Sequence, residues 1–317
     1  MIQKYFLCLL SLLPTASGIK AQCSDAGVCS LHSNDNGIFR RSGIGIDYLN
    51  GYSGIEDDIR YESAKIAGYY WLNREFNIGA MLPLNRQRGK LGSVQGVGDL
   101  LVLFDYLLND HPGDISLSGE TSILTGTFEA TSIRIGGKFA TGSVNKNDLS
   151  LLYQNGLGTN DLLLGLVYTA ANPRKYNYDL FEAGFILQFP FGIAGNNRDS
   201  LERGADILGR IGYQYPILHS FGIKAEVLAI QRLWKSTIHK YEIVTTESSP
   251  DPIGVIYAHT VNDNILQVNI SASATYKVRE DIFFETGFTV PLLNKKVNYD
   301  GLKREYTLFG SVNYHFD

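Results

Sequence analysis

Polar and apolar side chains alternate along the last segment of the chain, residues 305–316. Leu308 and Val312 fall on one side of this segment, and Thr307 and Asn313 fall on the other. Because successive side chains of a β-strand point to opposite faces, the segment predicts a strand with one apolar and one polar face. A soluble β-sandwich turns such an apolar face inward, whereas a membrane-spanning barrel turns it toward lipid.

The same alternation recurs in pairs of segments along the rest of the chain. It is clearest at residues 266–276, where Ile270 and Ala272 face one way and Asn269 and Ser271 face the other. About 12 strands of roughly 9–12 residues are predicted in this way. They cover residues 43–52, 61–72, 76–84, 99–107, 132–141, 162–168, 180–191, 205–215, 223–233, 266–276, 282–290 and 306–316. Residues 115–128 give no firm prediction.

The connections between these segments differ in length on the two sides. Short connections are predicted near Asp110, Pro173, His219 and Arg279, and longer or more polar ones near Gln87, Asn145, Asn197, Thr246 and Lys295. Short periplasmic turns that alternate with longer outer loops are typical of bacterial barrels, in which an even strand number places both chain ends in the periplasm. The predicted fold is therefore all-β, a transmembrane antiparallel up-and-down β-barrel of about 12 strands over residues 43–317.

The first residues of the chain have the form of a secretory signal peptide. Lys4 supplies a positive charge, residues 6–13 form a short apolar run, and Ala21 ends a plausible cleavage site. The run is too short to span a bilayer as a helix. A cleaved signal peptide is predicted over residues 1–21 and a periplasmic segment or plug over residues 22–42, which indicates the outer membrane of a Gram-negative bacterium.

Composition agrees with this prediction. The chain has 317 residues, 19% of them charged, a net charge of −4, 19 Tyr and 33 Gly. Abundant Tyr and Gly with few charges fit a barrel with an aromatic girdle, and the alternative is a soluble all-β protein. The charge gives no indication of a nucleic-acid partner, and none is expected. The expected partners are outer-membrane lipid, the barrel-assembly machinery and a small-molecule solute.

Two cysteines lie close together just after the predicted cleavage site. Cys23 and Cys29 are the only cysteines of the predicted mature chain. In an oxidising periplasm such a pair favours a disulfide that closes a small loop. The alternative is a metal clip with His32 and Asp25 nearby, but the spacing matches no standard zinc motif.

Charged side chains fall mainly on the predicted inward face of the strands. A charge that faced lipid at mid-depth would cost about 2–4 kcal/mol for Lys or Arg, so inward placement is favoured. The predicted lumen-lining residues are Asp47, Lys65, Asp105, Arg134, Lys138, Glu182, Asp206, Arg210, Lys224, Glu226 and Glu285. Two interpretations stay open: the charges pair and fill the lumen, or they line a path that selects small solutes.

No pattern of residues indicates catalysis. His111, His219, His239 and His259 fall in predicted connections and have no recognisable Ser or Asp partner in a local motif. Gly156 and Gly158 lack the strand–helix context of a dinucleotide site. An enzyme is therefore not expected, and neither is a cofactor or a resident metal.

Three turn motifs resemble a known family. They are Gly96-Val97-Gly98-Asp99, Phe139-Ala140-Thr141-Gly142 and Asn155-Gly156-Leu157-Gly158-Thr159-Asn160-Asp161. Their order is similar to that in bacterial outer-membrane barrels named after the meta-pathway of phenol degradation, although that family tends to have Pro-Thr-Gly in the second motif. The resemblance covers roughly residues 76–168. It implies passage of small, hydrophobic or aromatic compounds and supplies no catalytic residues.

Two functional hypotheses follow. The first is a narrow outer-membrane conduit for small uncharged or aromatic solutes, partly closed by residues 22–36. A barrel of about 12 strands lies between the side-chain-filled type of about 8 strands and the wide porins of 16–18 strands, so its lumen is expected to be narrow. The second is a closed structural or ligand-binding barrel without transport activity.

Overall fold

The computed structural model describes residues 41–54, 58–111, 115–118, 121–124, 126–147, 149–174, 177–195, 199–246, 249–261, 266–293 and 304–316. The predicted signal peptide, the segment 22–36 and the cysteines Cys23 and Cys29 lie outside the described residues. Their cleavage, plugging and pairing therefore stay predictions.

Antiparallel strands make up the described chain. They are β1 (Ser42–Tyr52), β2 (Arg60–Trp71), β3 (Phe76–Gly89), β4 (Gly92–Val97), β5 (Leu100–His111), β6 (Ile115–Ser118), β7 (Thr121–Leu124), β8 (Phe128–Phe139), β9 (Asn160–Pro173), β10 (Tyr178–Phe191), β11 (Ala194–Gly195), β12 (Asp199–Glu202), β13 (Asp206–Pro216), β14 (Phe221–Arg232), β15 (Ser236–Thr246), β16 (Ser249–Val261), β17 (Leu266–Arg279), β18 (Ile282–Leu293) and β19 (Tyr306–Phe316). A 3₁₀ helix occupies Leu151–Tyr153.

Twelve of these strands close into one barrel, which confirms the predicted fold. The ring runs β1-β2-β3-β5-β8-β9-β10-β13-β14-β17-β18-β19, and each strand pairs with its neighbours in chain order. The last strand closes it on the first, with Ser42 opposite Phe316 and Tyr52 opposite Tyr306. Closure leaves no open edge in the ring. The backbone N–H and C=O groups of these strands are therefore paired with each other, as lipid requires because it offers no hydrogen-bond partners.

The two faces of each strand differ as the alternation predicts. On β17, Ile270 and Ala272 lie on the outward face, whereas Asn269, only 1% exposed, lies on the inward face. Large apolar side chains such as Ile46 and Leu308 are more than half exposed on the outside of the ring. Such a surface is stable only in lipid, so the chain is an outer-membrane barrel. Among the described residues, no helix is long and apolar enough to cross a membrane.

The strands continue beyond the lipid-facing band on the extracellular side. Residues 85–96, expected as a polar loop, extend β3 to Gly89 and return as β4. The long loop expected at residues 235–262 contains β15 and β16, which join β11 and β12 in a separate four-stranded sheet. The alternation of apolar and polar side chains ends at the edge of the membrane, whereas the backbone pairing continues beyond it. The sequence pattern therefore does not predict these strands.

One periplasmic connection also differs from expectation. The chain between β5 and β8 was expected to turn near Asp110, but it runs from His111 to Phe128 and contains the hairpin of β6 and β7. The turn after β9, near Pro173, is short as predicted, and so are those near His219 and Arg279. With β1 entering from the periplasmic side, both described chain ends lie at that side of the barrel.

Candidate functional site

The interior of the barrel carries most of the charged side chains that the structure buries. Asp47 on β1 and Lys65 on β2 are opposite each other in the register and attract each other. Arg134 on β8 and Asp105 on β5 form a bidentate pair, with Nε–Oδ1 at 2.6 Å and Nη2–Oδ2 at 2.8 Å. In each pair, the two partners lie opposite each other on neighbouring strands. The strand register therefore holds each pair against the barrel wall.

A four-residue network continues around the wall on β10, β13 and β14. The Arg210 guanidinium lies 2.7 Å from Glu226 and 3.4 Å from Glu182. The Lys224 ammonium lies 3.4 Å from Glu182 and 3.8 Å from Glu226. Two cations therefore share two carboxylates, and the network carries no net charge. This arrangement favours a rigid wall, because moving one side chain breaks contacts with two others.

A second charged cluster lies nearer the extracellular end. Lys138 on β8 lies 2.8 Å from Asp161. Asp206 accepts hydrogen bonds from Arg232 at 2.8 and 3.0 Å. Arg203 lies between the two carboxylates, 3.2 Å from Asp161 and 3.5 Å from Asp206. Arg203 was missed by the sequence analysis because it precedes β13 in a connection, where strand alternation gives no signal.

Apolar side chains fill one wall of the interior between these two charged layers. Met81, Leu101, Leu163, Ile186, Leu208, Leu228 and Ile230 form one buried cluster that spans β3 to β14. Leu163 and Ile230 are completely buried although both lie on the inward face. At this depth, this half of the barrel is therefore packed like a protein core.

The opposite wall is different. The inward positions of β17, β18 and β19 at mid-depth are half-buried, and most of them carry small or polar groups. Phe309 on β19 is the exception, and its ring lies against Gly287. Ser271, Ser273, Thr275, Gly287, Thr289 and Ser311 form this set, which we call the hydroxyl wall. Ser271 and Thr289 share a hydrogen bond at 2.8 Å, and Ser273 donates to Glu285 at 2.6 Å.

The hydroxyl wall leads to a cavity of about 60 Å³ at the periplasmic end. Gln214, Thr275, Lys277 and Glu285 contribute polar groups to its lining. One buried water needs about 15 Å³, so the cavity has room for roughly four water molecules. Thr275 is the residue of the hydroxyl wall that lines this cavity, so the wall meets the cavity at its periplasmic end.

The extracellular mouth is covered by a loop between β8 and β9, residues 140–147 and 149–159, which we call the inward loop. Two of its backbone groups bind one carboxylate: Gly142 N–H donates to Asp99 Oδ1 at 3.0 Å, and Leu157 N–H donates to Asp99 Oδ2 at 2.8 Å. A Cβ at Gly142 would lie 2.6 Å from Gly156 Cα, so only glycine allows the two arms to meet over Asp99. The three motifs named in the sequence analysis thus meet at Asp99. We call the contacts of Asp99 with Gly142 and Leu157 the latch.

The inward loop also binds side chains inside the barrel. Asn85 Nδ2 donates to the carbonyl oxygen of Asn155 at 2.8 Å, and Gln87 Nε2 donates to that of Gln154. Asn85 and Gln87 are buried on the inward face of β3, and Tyr61 and Ser63 in turn donate to Asn85 Oδ1 at 2.9 and 2.8 Å. The loop is therefore anchored below the rim.

The predicted lumen-lining residues thus fall into distinct layers. Asp47, Lys65, Asp105, Arg134, Glu182, Arg210, Lys224, Glu226 and Glu285 belong to the middle layer, and Lys138 and Asp206 belong to the extracellular cluster. That these residues line a path for a solute stays a prediction. No group of three or more His, Cys, Asp or Glu side chains in the described part of the chain is placed to hold a metal ion.

Comparisons with known proteins add little beyond the fold. No protein-family model and no curated protein matches the chain. It is similar to the NanC porin, with a TM-score of 0.44 and 9% identity over 86% of this chain and 99% of that one. The KdgM porin in complex with oligogalacturonate gives 0.41 and 9% over 86% and 99%. The TodX monoaromatic hydrocarbon channel gives 0.41 and 8% over 87% and 90%.

Likenesses at such identities and TM-scores carry no argument about function. The resemblance to the phenol-degradation family likewise stays a prediction. The closed ring, the apolar exterior and the charged interior identify the chain as an outer-membrane β-barrel of 12 strands.

Proposed function

We propose that the protein is a narrow conduit for small polar solutes, closed at its extracellular mouth by the inward loop. The observation that carries this proposal is the hydroxyl wall. It is half-buried, made of small polar groups, and continuous with the periplasmic cavity through Thr275 and Glu285. Apart from Phe309, the inward side chains of this wall at mid-depth are small or polar, whereas large apolar side chains fill the opposite wall.

The chemistry of the hydroxyl wall suits polar solutes. Hydroxyl groups both donate and accept hydrogen bonds, so they replace the water that a small solute gives up on entering a narrow lumen. The paired charges of the middle layer offer little net field, and strong ion selectivity is not expected. The hydrophobic or aromatic solutes implied by the family resemblance fit this wall less well, because they would leave its hydroxyl groups without partners.

A closed ligand-binding barrel is the second candidate. The apolar cluster that fills one wall favours it, and so does the inward loop, which is anchored to Asn85 and Gln87 inside the barrel. In this case the periplasmic cavity would hold a ligand without passing it on. The two candidates differ in whether the inward loop leaves the mouth.

Planar-bilayer conductance and liposome uptake separate the two candidates. The full mature chain and a form without residues 22–36 are measured with small ions, a small polyol and a small aromatic compound as tracers. A conduit passes ions and polyol better than the aromatic compound, and passes them faster without the predicted plug. If neither form passes any tracer, the conduit is wrong and the closed barrel is the better account.

A further inference from the structure

A cluster of cations lies on the outer wall of the barrel, away from the interior. Arg60 at the extracellular end of β2 and Arg86 and Arg88 near the end of β3 point outward and are exposed. Lys90 follows in the turn to β4, with its side chain 68% exposed. We call these four residues the outer basic patch.

The outer basic patch begins where the apolar surface of the barrel ends. The outward positions of β3 carry Leu82 and Leu84 and then Arg86 and Arg88. The lipid-facing band of such a barrel is about 25 Å tall. The change from apolar to charged side chains marks the edge of this band, where hydrocarbon gives way to headgroups. Since β3 runs toward the extracellular side, the patch lies at headgroup level in the outer leaflet.

The register brings like charges together in the patch. Arg60 is directly opposite Arg88, and Glu62 is opposite Arg86. Like charges directly opposite each other on neighbouring strands are destabilising. An anion bound between Arg60 and Arg88 would therefore be stabilising. Two described carboxylates form ion pairs here: Glu62 lies 3.7 Å from Arg86, and Asp58 lies 3.8 Å from Lys90.

Among the described residues, the cations of the patch outnumber the carboxylates near it. Glu62 and Asp58 form long, partly exposed ion pairs with Arg86 and Lys90, and Glu305 lies near Tyr52, the residue opposite Arg60. Within the described residues, the structure shows no ion pair of Arg60 or Arg88. Guanidinium groups bind phosphate oxygens in a planar bidentate geometry, and two of them on adjacent strands can share one phosphate.

We propose that Arg60 and Arg88 bind the phosphate of a glycolipid in the outer leaflet, with Arg86 and Lys90 at its edge. The site is continuous with the lipid-facing surface, so the acyl chains of the same molecule would lie against Leu82 and Leu84. A soluble phosphate would lack this second contact. The site is independent of the conduit, because its side chains point away from the interior.

Native mass spectrometry of the full mature protein in detergent tests this proposal with purified lipid A as the probe. The variants are Arg60→Gln with Arg88→Gln, and as a matched control Arg279→Gln, which removes an exposed arginine that pairs with Asp281 at the periplasmic end. The double variant is expected to retain lipid A roughly tenfold less well, whereas the control equals the unmodified protein.

Two further arms identify the chemistry. Lipid A without its phosphates should bind the unmodified protein about as weakly as lipid A binds the double variant. Inorganic phosphate at equal concentration should compete little. Equal retention of lipid A by the double variant and the unmodified protein would overturn the proposal, and so would equal binding of the dephosphorylated lipid. Conductance of the double variant should be unchanged, which separates this result from the fate of the proposed conduit.

Discussion

Asp99→Asn tests whether the inward loop is a gate. The Asp99 carboxylate joins the two arms of the loop, since one oxygen accepts from Gly142 N–H and the other from Leu157 N–H. It also lies 3.7 Å from the Lys138 ammonium. Asparagine has nearly the same shape but offers a single acceptor, and its NH₂ group would face a second N–H donor.

The expected loss follows from these contacts. Hydrogen bonds to a charged acceptor contribute about 1.5–3 kcal/mol, and neutral ones about half of that. Losing one of the two bonds and the charge on the other lowers the stability of the closed loop by about 3 kcal/mol. Because 1.4 kcal/mol corresponds to a factor of ten, the open form should become roughly 100-fold more populated.

Single-channel recording in planar bilayers measures this population as the fraction of time in the open state. Asp58→Asn serves as the control, because Asp58 is also a carboxylate in an extracellular connection but contacts Tyr52 and Lys90 instead of the inward loop. Asp99→Asn should open far more often than either the unmodified protein or the control. A folded Asp99→Asn protein whose open fraction does not change would show that the latch does not govern passage.

Three further predictions concern assembly, stability and the N-terminal cysteines. Ile270→Arg places a cation in lipid at a cost of about 2–4 kcal/mol and should impair membrane assembly far more than Ser271→Arg on the hydroxyl wall, as judged by the yield of folded barrel. Arg232→Gln leaves Asp206 with a weaker partner and should lower the free energy of unfolding by about 3 kcal/mol in urea titrations, whereas Lys90→Gln at an exposed pair should change it little. Thiol labelling of the denatured, non-reduced mature protein should find no free cysteine if Cys23 and Cys29 are joined, and two reactive thiols would contradict the disulfide.

Period-two alternation was sufficient to predict the barrel. In β17 the polar and apolar positions alternate without a break, and the structure keeps that register with β14 from Phe221 opposite Tyr276 to Gln231 opposite Leu266. The signal is strong because a shift of one residue would turn every apolar side chain toward the interior. Strands outside the membrane, such as β4 and β16, lack this constraint, and their sequence pattern predicts loops.

The candidate site could be predicted only in part. Alternation indicated which strand residues are inward, but it carries no information about depth, so it could not separate the middle layer from the extracellular cluster. It also missed Leu163 and Ile230, because an apolar residue at an inward position breaks the pattern that was used. The latch at Asp99 depends on contacts between residues 43 and 58 positions apart in the chain, which local sequence patterns do not encode.

The central claim, that small polar solutes pass along the hydroxyl wall, is tested most directly by chemical modification at one position. Ser271→Cys lies on this wall, and Ala272→Cys, its neighbour on the outward face, is the matched control. Both are made in a protein in which Cys23 and Cys29 are replaced by Ser, and conductance is recorded before and after a charged thiol reagent is added from the periplasmic side. The conduit predicts that the reagent blocks most of the current through Ser271→Cys and leaves that through Ala272→Cys unchanged. An unaltered current through a fully labelled Ser271→Cys protein would contradict it.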